Sequence, residues 1–220
     1  MRLSVLLATT AAVAAAAPLG AQSTDPIDRA TAAWAKIKTV KGTFEQTVTN
    51  AITGTSAIAR GDYVQERPNR LAIRFKQPDG GAIVSDGTVL WVYLPSSAPG
   101  QVMKRPAADR SSVPIDFSGQ FLEAPRAKYD ITPAGAKTAE GHPAHGFKLV
   151  PKPGASAPFT TATVWVDDDD SLIREFELTE SSGVTRHIRI TSLESNPAIE
   201  RSSFTFTPPP GVKVVDQTKP

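Results

Sequence analysis

Arg67-Pro-Asn-Arg-Leu-Ala-Ile-Arg-Phe-Lys-Gln-Pro-Asp-Gly-Gly-Ala-Ile-Val-Ser-Asp-Gly-Thr-Val-Leu-Trp-Val-Tyr93 sets two unlike strands in succession. From Arg70 to Lys76 polar and apolar residues alternate, with Leu71, Ile73 and Phe75 on one face and Arg70, Arg74 and Lys76 on the other. Period two with one apolar face predicts a half-buried strand. After the turn residues 77–81, Ala82 to Ser85 and Thr88 to Leu94 flank Asp86-Gly87, a dipeptide that predicts a two-residue hairpin turn of type I′. Facing residues of a hairpin share a side. Ile83, Leu90, Val92 and Leu94 therefore fall on one face, and Val84, Val89, Trp91 and Tyr93 on the other. Both faces are apolar, whereas antiparallel sheets commonly leave one face in water. The hairpin must be covered twice, by a packed element on one side and by a second cover, for which a hollow is a candidate, on the other.

Outward from this stretch, Asp25-Pro26-Ile27-Asp28 reads as a helix start, with an N-capping Asp, Pro in the first turn and Asp28 near the positive end of the dipole. Ile27, Ala30, Trp34 and Ile37 recur at helical spacing and form one stripe, which requires a sheet to lie on. Residues 43–49 alternate, with Phe44 and Val48 on one face, and residues 57–66 return after a turn at 50–56. Gln101 to Arg105 adds a short strand. Residues 106–125 lack a period-two run but scatter Val113, Ile115, Phe117, Phe121 and Leu122 among small and polar residues, which predicts one or two short helices. Beyond them, strands are expected over 127–132, 146–150, 161–166, 172–179 and 184–193, a meander curling into a barrel.

Composition narrows the class. The chain has 220 residues, 40% of them hydrophobic, 19 prolines and few aromatics, which favours a β-rich domain over a helical bundle. With 24 basic against 22 acidic side chains the net charge is +2, and without a basic cluster the charge alone implies neither nucleic acid nor an anionic membrane as a partner. Met1-Arg2, the apolar run Leu3 to Ala17 and Pro18-Leu19-Gly20-Ala21 form the three regions of a secretory signal peptide, residues 1–21, with cleavage expected after Ala21 and sites from Ala17 onward as alternatives. Residues 22–220 are then one domain, without stable membrane insertion. The absence of cysteine removes disulfides, thiol catalysis and lipid attachment at cysteine.

Sites of chemistry are scarce. Asp167-Asp168-Asp169-Asp170 reads as a hairpin turn, lacking the glycine and distal glutamate of a calcium loop. His142 and His145 fall in a Gly/Pro-flanked loop and His187 on a strand, all as surface residues without a third metal ligand. Neither Ser85-Asp86-Gly87 nor Ser111-Ser112 forms a nucleophile elbow, and no glycine-rich phosphate loop precedes a helix. No enzymatic activity, cofactor or metal is expected.

Three segments in order, Arg67-Pro68-Asn69, Gln77-Pro78-Asp79 and Val84-Ser85-Asp86-Gly87 with Leu90-Trp91-Val92-Tyr93, resemble the periplasmic outer-membrane lipoprotein carrier proteins of the LolA family. The tail Phe204-Thr205-Phe206-Thr207-Pro208-Pro209-Pro210-Gly211-Val212 with Asp216-Gln217 resembles that family equally, and the looser likeness runs from Ile27 to Gln217. The resemblance implies a mainly β fold with a few helices: an open, incomplete antiparallel β-barrel of about eleven strands, with an N-terminal helix and a helical lid over a hydrophobic cavity. It implies a monomeric periplasmic carrier that takes acylated lipoproteins from an inner-membrane ABC lipoprotein-releasing transporter to an outer-membrane lipoprotein receptor. It also implies that Arg67 latches the closed form by hydrogen bonds to backbone carbonyls of the lid. The expected cavity lining is Leu71, Ile73, Phe75, Leu90 and Val92, with Phe117 and Leu122 from the lid. No residue decides which face of the 82–94 hairpin looks inward. A charge at Leu71 is expected to abolish chain binding with the fold intact. Arg70 and Ala72, and Asp116 and Gln120 in the lid, depart from the family's apolar pattern and suggest a narrower pocket or a less apolar lid. A lipid- or lipoprotein-sensing regulator on the same fold, like RseB, is the alternative; such proteins carry an additional domain.

Overall fold

The computed structural model describes residues 25–78, 80–107 and 117–218. The proposed signal peptide and the lid residues Val113, Ile115 and Asp116 lie outside the described residues. Helix α1 (Pro26–Lys36) begins as its residues dictate: the Asp25 carboxylate accepts from the Ile27 amide at 3.1 Å, and Ile27, Ala30 and Trp34 are buried. The strands that follow are β1 (Thr39–Asn50), β2 (Ser56–Glu66), β3 (Arg70–Gln77), β4 (Ala82–Asp86), β5 (Val89–Tyr93) and β6 (Gln101–Pro106). Two short helices, α2 (Gly119–Leu122) and α3 (Pro125–Lys128), precede β7 (Tyr129–Ala139), β8 (His142–Pro151), β9 (Thr161–Asp167), β10 (Ile173–Thr179) and β11 (Val184–Ser195). A 3-10 helix (Arg201–Phe204) and β12 (Lys213–Asp216) end the described chain.

The twelve strands of the described residues form one sheet in the order β12-β6-β5-β4-β3-β2-β1-β11-β10-β9-β8-β7. Two hairpin-linked runs meet where β1 pairs with β11, and β7 and β12 remain as unjoined edges, so the curled sheet is an open, incomplete barrel. In the sheet order β6 is next to one end and β7 is the other end, and α2 and α3 directly precede β7. Phe117, Phe121 and Leu122 are buried there against the concave face: Phe117 meets Phe44 and Tyr63, and Phe121 meets Phe159 and Phe176.

The expected architecture is present, with local differences. A twelfth strand, β12, adds parallel to β6; after three prolines, Lys-Val-Val-Asp is too short to show a period. The 82–94 hairpin turns around Gly87-Thr88 and not Asp86-Gly87. Ser85 pairs with Leu90, Gly87 has φ +99°, and the Asp86 carboxylate accepts from the amides of Thr88 and Val89 at 2.7 and 2.8 Å. Asp86 serves as the side-chain acceptor that closes the turn, with glycine in the first central position as in type II′ turns. Pairing thereby slips by two residues, one full period, so every side chain keeps its expected face. The β7–β8 hairpin is longer than expected, turning at Glu140-Gly141 with φ +48° and +85°. His142 and His145 accordingly lie on β8 and not in a loop.

Candidate functional site

The doubly apolar hairpin is covered as its pattern requires. On one side Ala72, Ala82 and Val84 pack with Phe204, and Trp91 and Tyr93 meet the Phe206 ring at 5.7 and 6.1 Å. Arg74 fastens this cover by donating to the carbonyls of Ser203 and Thr205 at 3.2 and 3.0 Å. Ile83, Leu90 and Val92 face the barrel interior on the other side.

That interior is solid at one end and hollow at the other. Near α1 and α2 the side chains interlock. Beyond Phe117 a cavity of about 440 Å³ opens, lined by Phe44, Ile73, Phe75, Ile83, Val92, Leu94 and Met103 among others. Its mouth is formed by the strand ends remote from α1: Val48 and residues 57–59, Pro78 and Gly81, and Pro95 to Ser97, with Arg186, the strand partner of Val48, at the rim; Arg105, the strand partner of Leu90, lines the hollow from deeper along β6. Arg186 donates from Nε to Glu180 at 2.5 Å, and Arg105 from Nε to the Gln217 side chain at 2.7 Å.

Of the residues expected to line the cavity, Ile73, Phe75, Val92 and Phe117 border this hollow. Leu71, Leu90 and Leu122 do not; they are 5%, 1% and 1% exposed, in the packed half beneath the helices. The reason is positional, since Leu71 is the second residue of β3 and both Leu71 and Leu90 pair with Ser85 at the helix-covered end. Phe44, Ile83, Leu94 and Met103 were missed; alternation had placed Phe44 beside Val48, and Ile83 and Leu94 on the Leu90 face.

Arg67 hydrogen-bonds backbone carbonyls at the C-terminal end of α1. Its Nη1 donates to Trp34 O at 2.9 Å and to Ile37 O at 3.1 Å, and its Cζ lies 4.9 Å from the Trp34 ring centroid. Contact with the lid is made through a side chain, Nη2 to the Glu123 carboxylate at 3.3 Å. A second tie joins the helices: Arg126 of α3 pairs with Asp25 and Asp28 at 2.5 and 2.7 Å. At the same interface Trp34 Nε1 and Gln120 Nε2 are buried without an acceptor among the described residues. Tyr129 donates to the Gln120 carbonyl at 2.7 Å, and burial pushes its phenol above the usual value.

The remaining polar residues support the sheet. Asp167 to Asp170 form the β9–β10 turn, where buried Asp167 accepts from Arg174 Nε at 2.8 Å and Arg174 also binds Asp170. His142 and His145 sit 2.8 and 2.5 Å from Asp167 and Asp168, and His187 2.5 Å from Glu175. Among the described residues no group of three or more His, Cys, Asp or Glu could hold a metal ion. A groove of about 420 Å³ on the convex side is rimmed by Lys41, Asp62, Arg74 and Glu194, a charged border unsuited to hydrocarbon.

A family model described as outer membrane lipoprotein carrier protein LolA matches residues 35–207. The outer-membrane lipoprotein carrier protein of Klebsiella pneumoniae is 30% identical over 186 residues, 84% of this chain and 84% of that protein. Its counterpart in Cronobacter sakazakii is 29% identical over 182 residues, 83% of each. Among solved structures, an uncharacterized conserved protein from Thermus thermophilus shares the fold, with a TM-score of 0.53 at 12% identity over 87% of this chain and 97% of that one.

Proposed function

Because this chain belongs to the LolA family of outer-membrane lipoprotein carrier proteins, we propose that it shelters the acyl chains of lipoproteins in the hollow between Phe75 and Phe117 and carries them across the periplasm. Membership in a carrier family assigns lipoprotein handling and no catalysis. The observation that carries the finer reading is the hollow itself, about 440 Å³ with Ile73, Phe75, Ile83 and Val92 on its walls. That size lies within the about 300–1,000 Å³ range of ligand pockets.

Energetics favour such a limited shelter. Each buried methylene contributes about 0.8 kcal/mol, and noncovalent affinity saturates near ~20 kcal/mol, so complete burial of several long chains would leave the complex unable to release. A hollow that holds part of the load, and enlarges only when Phe117 and the helices behind it move aside, keeps binding reversible. In this reading residues 1–21 direct export, loading comes from an inner-membrane ABC lipoprotein-releasing transporter, and the load passes to an outer-membrane lipoprotein receptor that binds it more strongly.

The test is titration of purified protein with a fluorescent fatty acid, together with native mass spectrometry of protein isolated from its own periplasm. Phe75→Glu places a carboxylate on the wall of the hollow and should abolish probe binding and bound acylated mass without altering the circular dichroism spectrum. Undiminished binding in that variant rejects the hollow as the site.

A further inference from the structure

The mouth of the hollow has its own surface chemistry. None of residues 46–59, which make up the β1–β2 hairpin tip and its approaches, is charged, and the same holds for residues 87–103, which include the rim residues Pro95 to Ser97. At the tip Ile52 is 86% exposed, and Ile58, which also lines the hollow, is 50% exposed. Single exposed apolar residues are ordinary. Here, however, the two lie beside the mouth of an apolar cavity.

Nor does Ile52 protrude from a slack loop. The Asn50 side chain accepts from the amides of Ile52 and Thr53 at 2.9 and 3.3 Å, and Asn50 O accepts from Gly54 N at 2.9 Å. The turn is locked and presents its isoleucine outward. On the β3 side, β2 is paired only from Arg60 onward, so residues 56–59 extend past the neighbouring strand. Among the residues lining the hollow, those with charge are Arg105 and Arg186, and none is a carboxylate.

We propose that this rim docks on the surface of a lipid bilayer containing anionic phospholipid, with Ile52 entering the interfacial layer. A firm apolar tip supplies the insertion, the uncharged flanks avoid the cost of placing charge among acyl chains, and the Arg186 guanidinium at the rim, which Glu180 holds at one edge, suits a lipid phosphate. A chain could then pass between bilayer and hollow without crossing open water. The inference rests on the carrier reading for its purpose, though the docking itself is testable apart from it.

The experiment is co-sedimentation of the purified protein with vesicles of phosphatidylethanolamine and phosphatidylglycerol, beside Ile52→Asp and Ile52→Leu, with fatty-acid binding measured separately in vesicle-free solution. Wild type and Ile52→Leu should sediment with vesicles, and Ile52→Asp should lose about tenfold or more of that affinity, given the cost of a carboxylate in the interface. All three should bind the fatty acid equally, because Ile52 does not line the hollow. Wild type that stays in the supernatant, or Ile52→Asp that sediments as well as wild type, overturns the proposal. Loss of fatty-acid binding in Ile52→Asp also overturns it, since the tip would then belong to the hollow. Absence of fatty-acid binding in wild type rejects the carrier reading instead, and the vesicle comparison still judges the rim.

Discussion

Arg67 lies over the Trp34 ring, Cζ 4.9 Å from its centroid, while donating at 2.9 Å to the carbonyl of that same residue. One guanidinium thus holds both the side chain and the backbone of the last turn of α1, where the helix dipole also favours a cation. Its ion pair with Glu123, whose side chain is 51% exposed, belongs to the class of surface contacts worth little. Arg67→Leu should therefore cost about 1–3 kcal/mol, whereas Glu123→Ala should stay within about 0.5 kcal/mol. Urea melts of both variants check this. Equal losses would move the latch from α1 to the lid.

Phe117 separates the packed half of the interior from the hollow. Its ring lies 5.2 Å from Phe44, 4.8 Å from Tyr63 and 6.0 Å from Phe176, and it also lines the cavity. Phe117→Ala should cost about 3 kcal/mol in stability. The vacated space adds to the hollow, so a fatty-acid probe should bind about tenfold more tightly, equivalent to roughly two further methylenes sheltered. Melting curves and probe titration measure the two effects separately; weaker binding would mean that the ring contacts the ligand more than it excludes it.

The parity of residues was legible in the sequence; their depth along the barrel was not. Ile83, Val84, Leu90 and Trp91 took their expected faces even though the turn moved from Asp86-Gly87 to Gly87-Thr88, because a shift of two residues preserves alternation. Leu71 and Phe75 share a face, yet only Phe75 borders the hollow, and what separates them is the seat of α1 and α2 at one end of the barrel. Strand periodicity carries no information about that seat. Arg67 could be singled out by its motif, but its carbonyl partners depend on where α1 stops. The long β7–β8 hairpin was hidden by Pro133, Gly135, Pro143 and Gly146, residues that ordinarily interrupt strands and here occupy an edge strand with a bulge and its neighbour.

Asp167 gives the fold an acid-sensitive anchor. Burial pushes its carboxyl up, but the Asp169 amide, Arg174 and His142 together outweigh burial and hold it below its usual value. A depressed folded value stabilises above the unfolded value, near pH 4, and that stabilisation fades as pH falls through the folded value. Arg174→Leu leaves the carboxylate buried without its guanidinium and should cost about 3–5 kcal/mol at pH 7. As pH drops below about 4, wild type loses the benefit that the variant already lacks, so the difference between them should shrink. Urea melts at pH 7, 5 and 3 test the sign; a gap that widens on acidification contradicts it.

Opposite faces of the same strands serve different purposes, and this separation is open to a direct test at Phe204. The ring is 2% exposed and packs with Ala72, Ala82 and Val84, whereas Ile73 and Ile83, their neighbours in sequence, face the hollow. Phe204→Ala should cost about 3–5 kcal/mol through the cavity it leaves. Loosening the 201–206 segment should also uncover Trp91, now beside Phe206, and shift its fluorescence to the red. Fatty-acid binding under conditions where the variant remains folded should not change, because the backbone of β3 and β4 stands between Phe204 and the hollow. Arg74→Ala, which removes the donors to the Ser203 and Thr205 carbonyls, should act in the same direction with a smaller effect, about 1–2 kcal/mol. Were either substitution to weaken probe binding as much as Phe75→Glu, the two faces would be coupled, and the C-terminal cover would count as part of the binding site.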